Sequence, residues 1–150
     1  MRQILTKIAE GLDALGFSNI VVGRFNYYEK DNAGDIIIDM QEMKPISYFK
    51  NDDGSVSVLT QGMLILEFRG VNADLRLGNF ISMRCTDTFR SKMKSVEIFL
   101  DADISQMRDL KGTQYFNRYV YTAPCRFFVN RVIPEEKFTS IGKIHLYKED

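Results

Sequence analysis

Apolar residues fall first at helical spacing. Ile4, Leu5, Ile8, Leu12 and Leu15 recur every third or fourth position, and Gly16 stands where a C-terminal cap belongs. The pattern predicts an amphipathic helix over about residues 2–15. NIVVGRF then reads as a short strand, and the polar, turn-rich YYEKDNAGD as a loop. DIIIDMQEM is a strand whose isoleucine run points to burial on both faces. Pro45 cannot donate to a ladder, so it belongs at the end of that strand or in an edge or bulge position.

ISYFKNDDGSVSVLTQGMLILEFRG reads as a long hairpin turning at Asp52-Asp53-Gly54. On its return Leu64, Leu66 and Phe68 face one way, and Ile65, Glu67 and Arg69 the other. The tip KNDDGS is polar and is expected to project into solvent or toward a partner. Asn72 can cap a second helix, along which Ala73, Leu77, Phe80, Ile81, Cys85 and Phe89 make one stripe. Leu77, Phe80, Ile81 and Phe89 are expected to pack on Leu64, Leu66 and Phe68. Gly78 weakens this helix, and Met93 and Val96 extend or restart it before DAD ends it.

ISQMRDL is a strand, Lys111-Gly112-Thr113 a turn, and QYFNRYVYTAPCRFFVNRVIP its long partner. There Tyr119, Tyr121, Ala123, Cys125, Phe127 and Val129 share one face. Arg118, Val120, Thr122, Pro124, Arg126, Phe128 and Asn130 share the other. Pro124 inside the run marks an edge strand or a bulge. SIGKIHLYKED closes the sequence as a short strand or arm near 139–150. The expected fold is α+β: one domain over 1–150, a mostly antiparallel sheet flanked by two helices, and a projecting hairpin near 46–60. Two helices cover one sheet face. The other, half apolar and half charged, suits a second subunit.

Composition narrows the classes of function. Twenty basic residues balance twenty acidic ones, which argues against a dedicated nucleic-acid binder and leaves little repulsion between copies. No secretory leader and no membrane-length apolar stretch is visible. Cys85 and Cys125 read as two buried, reduced thiols of a protein made in a reducing cytoplasm. With His145 as the lone histidine, there is no zinc set and no paired nucleophile and base. Asp39, Glu42 and Lys44 imitate the acid-acid-lysine set of Mg²⁺-dependent nucleases, but they crowd into one segment ended by Pro45. Solvated strand-end charges explain them more simply. No catalytic, metal or cofactor site is expected. The aromatics and arginines of the long strand imitate a base-stacking surface, yet alternation sets Arg118 and Arg126 opposite the tyrosine row.

LILEFRGVNADLRL is a strand ending in Gly-x-Asn-Ala that feeds a helix; FRSKM follows, then ISQMRDLKGTQYFNRYVYTAPCRFFV. That order resembles the neck or tail-terminator proteins of tailed bacteriophages. In those, a frG-x-nA segment opens the second helix, and a short strand later turns into a long aromatic strand with an arginine near its start. The likeness covers roughly Gly62 to Arg131. It implies a virion structural protein with no enzymatic activity and no cofactor, made in the host cytoplasm. Its copies would form a hexameric ring that caps the tail tube, docks to head-completion or connector proteins, and passes DNA through its lumen without reading its sequence. No membrane is involved. Interface candidates are Lys50, Asp52 and Asp53 at the hairpin tip and Arg118, Arg126 and Phe128 on the uncovered sheet face. The alternatives are another head–tail joining or tube protein of related fold, and the Mg²⁺-dependent nuclease.

Overall fold

The first helix forms where the periodicity places it. α1 (Arg2–Ala14) buries Ile4, Leu5, Ile8 and Leu12 along one stripe. Gly16 follows with φ 93°, a left-handed conformation that ends a helix with least strain in glycine. The computed structural model describes residues 2–23, 36–111 and 114–132. The elements after α1 are β1 (Ile20–Val22), β2 (Ile36–Lys50), β3 (Ser55–Arg69), α2 (Ala73–Met83), α3 (Asp87–Lys92), β4 (Val96–Ile98), β5 (Asp103–Lys111) and β6 (Gln114–Val132). The predicted loop YYEKDNAGD, Gly112-Thr113 of the predicted turn, and the terminal SIGKIHLYKED with His145 lie outside the described residues.

The strands form one sheet in the order β1-β2-β3-β6-β4, with β5 also paired to β6. β1 and β2 are parallel; the other pairs are antiparallel. The fold is therefore α+β with a mostly antiparallel sheet. The three helices join a core with the inward row Ile36, Ile38, Met40, Leu64, Leu66, Phe68, Tyr121, Ala123, Cys125 and Phe127. Phe80 sits at its centre, with ring centroids 6.0 Å from Phe68, 5.9 Å from Phe89 and 5.1 Å from Tyr121. α1 approaches α3 closely at Gly11, where an added Cβ would lie 2.7 Å from Met93 Cε and 3.0 Å from the Phe89 ring.

Four expectations are corrected. First, DIIIDMQEM and ISYFK are one strand that passes through Pro45. Pro45 takes the edge or bulge position expected of it: register irregularities between Gln41 and Lys44 and between Pro45 and Ser47 absorb the ring, and among the described residues β1 covers β2 only from Ile36 to Ile38. Second, the long second helix breaks at Arg84–Thr86. The Thr86 hydroxyl caps a new helix by accepting from Phe89 N, so among the described residues three helices pack on the sheet in place of two. Cys85 falls in the break and is exposed. Asn72 holds the N-cap position of α2 at φ 62° but gives no side-chain cap; separately, the Arg76 guanidinium donates to the carbonyls of Arg69 and Val71 and ties the helix to the end of β3. Third, Val96 opens the strand β4 and does not extend a helix.

Fourth, β6 is no edge strand. β3 pairs along one side of it from Ser55↔Val132 to Arg69↔Arg118, and β5 and then β4 share the other. Pro124 lies between the last β5 pair, Asp103↔Thr122, and the first β4 pair, Ile98↔Cys125. Its carbonyl accepts from Phe99 N at 3.0 Å. A strand residue's nitrogen and carbonyl point to the same side, so the missing N–H falls at the junction of two partners and costs the ladder only the bond reciprocal to that from Phe99.

Candidate functional site

The face opposite the helices carries the side chains that no described helix covers. Alternation places Ile37, Ile65, Glu67, Val120 and Arg118 there. Arg69 and Arg118 are direct cross-strand partners, a like-charge pair that would repel. Glu67 resolves it: its Oε1 lies 2.7 Å from the Arg69 guanidinium and 3.0 Å from that of Arg118. The three side chains are 12–16% exposed, so this is a pinned cluster and not a freely solvated pair. Arg118 also reaches Met107 Sδ at 2.9 Å.

Farther along the same face, toward the hairpin tip, the surface turns aromatic. Phe49 and Phe128, 50% and 53% exposed, meet edge-on with centroids 6.0 Å apart. Arg126 donates to Gln61 Oε1 at 3.1 Å and stacks over the Phe99 ring at 5.1 Å. The expected face residues Arg118, Arg126 and Phe128 are thus on one surface, in two adjoining patches.

The tip candidates Lys50, Asp52 and Asp53 are exposed at the far end of the β2–β3 hairpin. Gly54, at φ 82°, makes the turn, and Asn51 N–H donates to Ser55 O. Asp53 accepts from both the hydroxyl and the amide of Ser55, which holds its carboxyl below its ordinary value. Asn51 Nδ2 bonds Ser55 and Ser57, and Ser57 bonds Asn130 on β6. The tip is therefore tied into three strands, and Asp52 is the member of the acidic pair with no turn role.

The acid-acid-lysine residues are spread across the first irregularity of β2. Asp39 lies in regular pairing with Ile65, its carboxylate accepting from Met40 N and Gln41. Glu42 is held at φ 52° inside the irregularity, and Lys44 lies beyond it. Among the described residues, no group of three or more histidine, cysteine or acidic side chains could hold a metal ion. Cys125 is fully buried, and burial, with Glu97 adding to it, pushes its thiol up to about 12. Among the described residues, no helix is long and apolar enough to cross a membrane.

Sequence reasoning missed a concave surface at the β4 edge, where Arg84, Arg90, Lys94 and Arg126 converge. Three of them follow α2 in polar, helix-spaced positions and read as ordinary solvated charges. Only the folded position of β6 brings Arg126 beside them. Arg84 also anchors the core, donating to the buried Tyr121 hydroxyl at 2.7 Å. No protein-family model and no curated protein matches the chain.

Proposed function

We propose that the protein is a structural subunit of a tailed-bacteriophage neck, a tail terminator whose copies close into a ring, cap the tail tube and meet the head connector. The observation that carries this reading is the sheet face that no described helix covers, with its half-exposed Phe49–Phe128 pair beside the Glu67–Arg118 cluster. An apolar patch rimmed by pinned charges is chemistry for a protein neighbour. The motifs behind the resemblance support it by where they fall. LILEFRGVNADLRL spans the passage from β3 into α2, turning at Gly70 and Asn72, both at positive φ. ISQMRDLKGTQYFNRYVYTAPCRFFV spans the β5–β6 hairpin.

In a closed ring each copy presents two different patches, and the sheet face is one of them. Zero net charge keeps repulsion between copies weak. Rim ion pairs add only about 0–1 kcal/mol each, so apolar contacts dominate the assembly. The protein then carries out no reaction, and DNA crosses the lumen without sequence readout.

Electron microscopy of concentrated protein and of assembled particles tests the reading. A closed ring at the neck whose neighbouring copies touch through this face is expected. A single copy at the neck, or copies that never touch this face, overturns it. So does Mg²⁺-dependent DNA cleavage that disappears in Asp39→Ala.

A further inference from the structure

Beside β4 the sheet ends in a groove of about 510 Å³. Arg84, Arg90, Lys94 and Arg126 line it, and among the described residues none of the four has a carboxylate within ion-pair distance. Glu97 is the acid of the lining, so the groove is locally positive on a molecule whose formal charge is zero. Leu100 and Phe128, 54% and 53% exposed, add apolar surface to it.

The backbone adds a third feature. Among the described residues, β4 pairs with β6 and ends the path through the sheet. Phe99 N–H donates to Pro124 O, which places Phe99 in the bonded phase of the ladder and Ile98, facing Cys125, out of it. The N–H and C=O of Ile98 therefore point away from β6, along the groove. Cations without a carboxylate partner, half-exposed apolar side chains and a strand edge left open among the described residues are the three elements by which a sheet edge takes up an extended peptide.

We propose that this groove docks an acidic, extended segment of a partner protein. The segment's backbone adds to β4, its carboxylates meet the four cations, and an apolar side chain packs against Leu100 and Phe128. A nucleic acid would use the cations but not the open edge or the leucine. Phe128 and Arg126 belong both to this groove and to the proposed ring face, but the inference concerns the β4 edge of a single copy and is tested there without ring formation.

The test uses the whole chain, labelled with nitrogen-15, and a short synthetic peptide alternating glutamate and leucine. The Ile98 amide and its neighbours in β4 are expected to shift on titration. Affinity should fall as salt rises. Arg90→Glu combined with Lys94→Glu should weaken binding about ten-fold, and Leu100→Ser should weaken it measurably. All three positions are exposed, so these variants should fold. If one does not, the shift map of the natural protein decides the matter. A lysine–leucine peptide should not compete. Three results overturn the proposal: no shifts at β4 with excess peptide, affinity unchanged by the double reversal, or oligothymidylate binding the same residues as tightly as the peptide.

Discussion

Phe80 shows how one residue couples the layers of this protein. It is 1% exposed and touches rings from β3, α3 and β6. Phe80→Ala should cost about 3–5 kcal/mol, read as a lowered denaturation midpoint, because three elements cannot all close on the cavity. An unchanged midpoint would mean that Phe80 is not at the centre of the core. The cysteines give a second test. Exposed Cys85 should react with a thiol reagent in the native protein, while Cys125 should react only on unfolding. The folded state keeps the Cys125 proton up to about 12, whereas the unfolded chain releases it near its ordinary value, about 8.5. The associated stability is therefore whole below the unfolded value and lost as pH rises through the folded one. Alkaline melts of Cys125→Ala should show a smaller loss across that window. The inward row of β6 was legible in the sequence because strict alternation over many residues leaves one solution. Cys85 was not, because the helical stripe runs on through it. Thr86 followed by Asp87 is a helix-start signal, but nothing in the stripe shows that the chain stops to use it.

At the scale of elements, the α1–α3 contact is the most exacting, since it depends on the missing side chain of Gly11. Gly11→Leu should lower stability by about 1–3 kcal/mol despite leucine's better helix propensity, because the added atoms meet Phe89 and Met93. A thermal melt at or above that of the natural protein would show that the two helices can part freely. α1, the β2–β3 turn and the β5–β6 hairpin were all readable, each from a period or a turn sequence. β4 was not, because three residues are too few for alternation to show. The continuity of β2 through Pro45 was hidden for a different reason: among the described residues its edge opposite β3 has no partner beyond Ile38, which is a property of the sheet and not of the segment. The basic groove shares that origin, since its cations come from α3, the turns flanking it, and β6.

At the scale of the molecule, the exposed aromatic pair bears on assembly most directly. Phe128→Asp should weaken self-association more than Arg126→Ala, because it buries a charge and breaks the contact with Phe49, while Arg126 mainly steadies Gln61 and Phe99. Sedimentation of concentrated samples, or the yield of assembled particles, measures the difference; equal effects would count against an apolar interface. The place of β6 also sets a timetable for synthesis. β3 emerges with β2 as a hairpin, but its other edge waits for residues 114–132, some fifty positions later. At about 5–20 residues per second, the ribosome leaves that edge bare for several seconds. Nascent chains arrested before Gln114 should therefore be protease-sensitive and engage chaperones, and chains extended to present all of β6 should become resistant in one step.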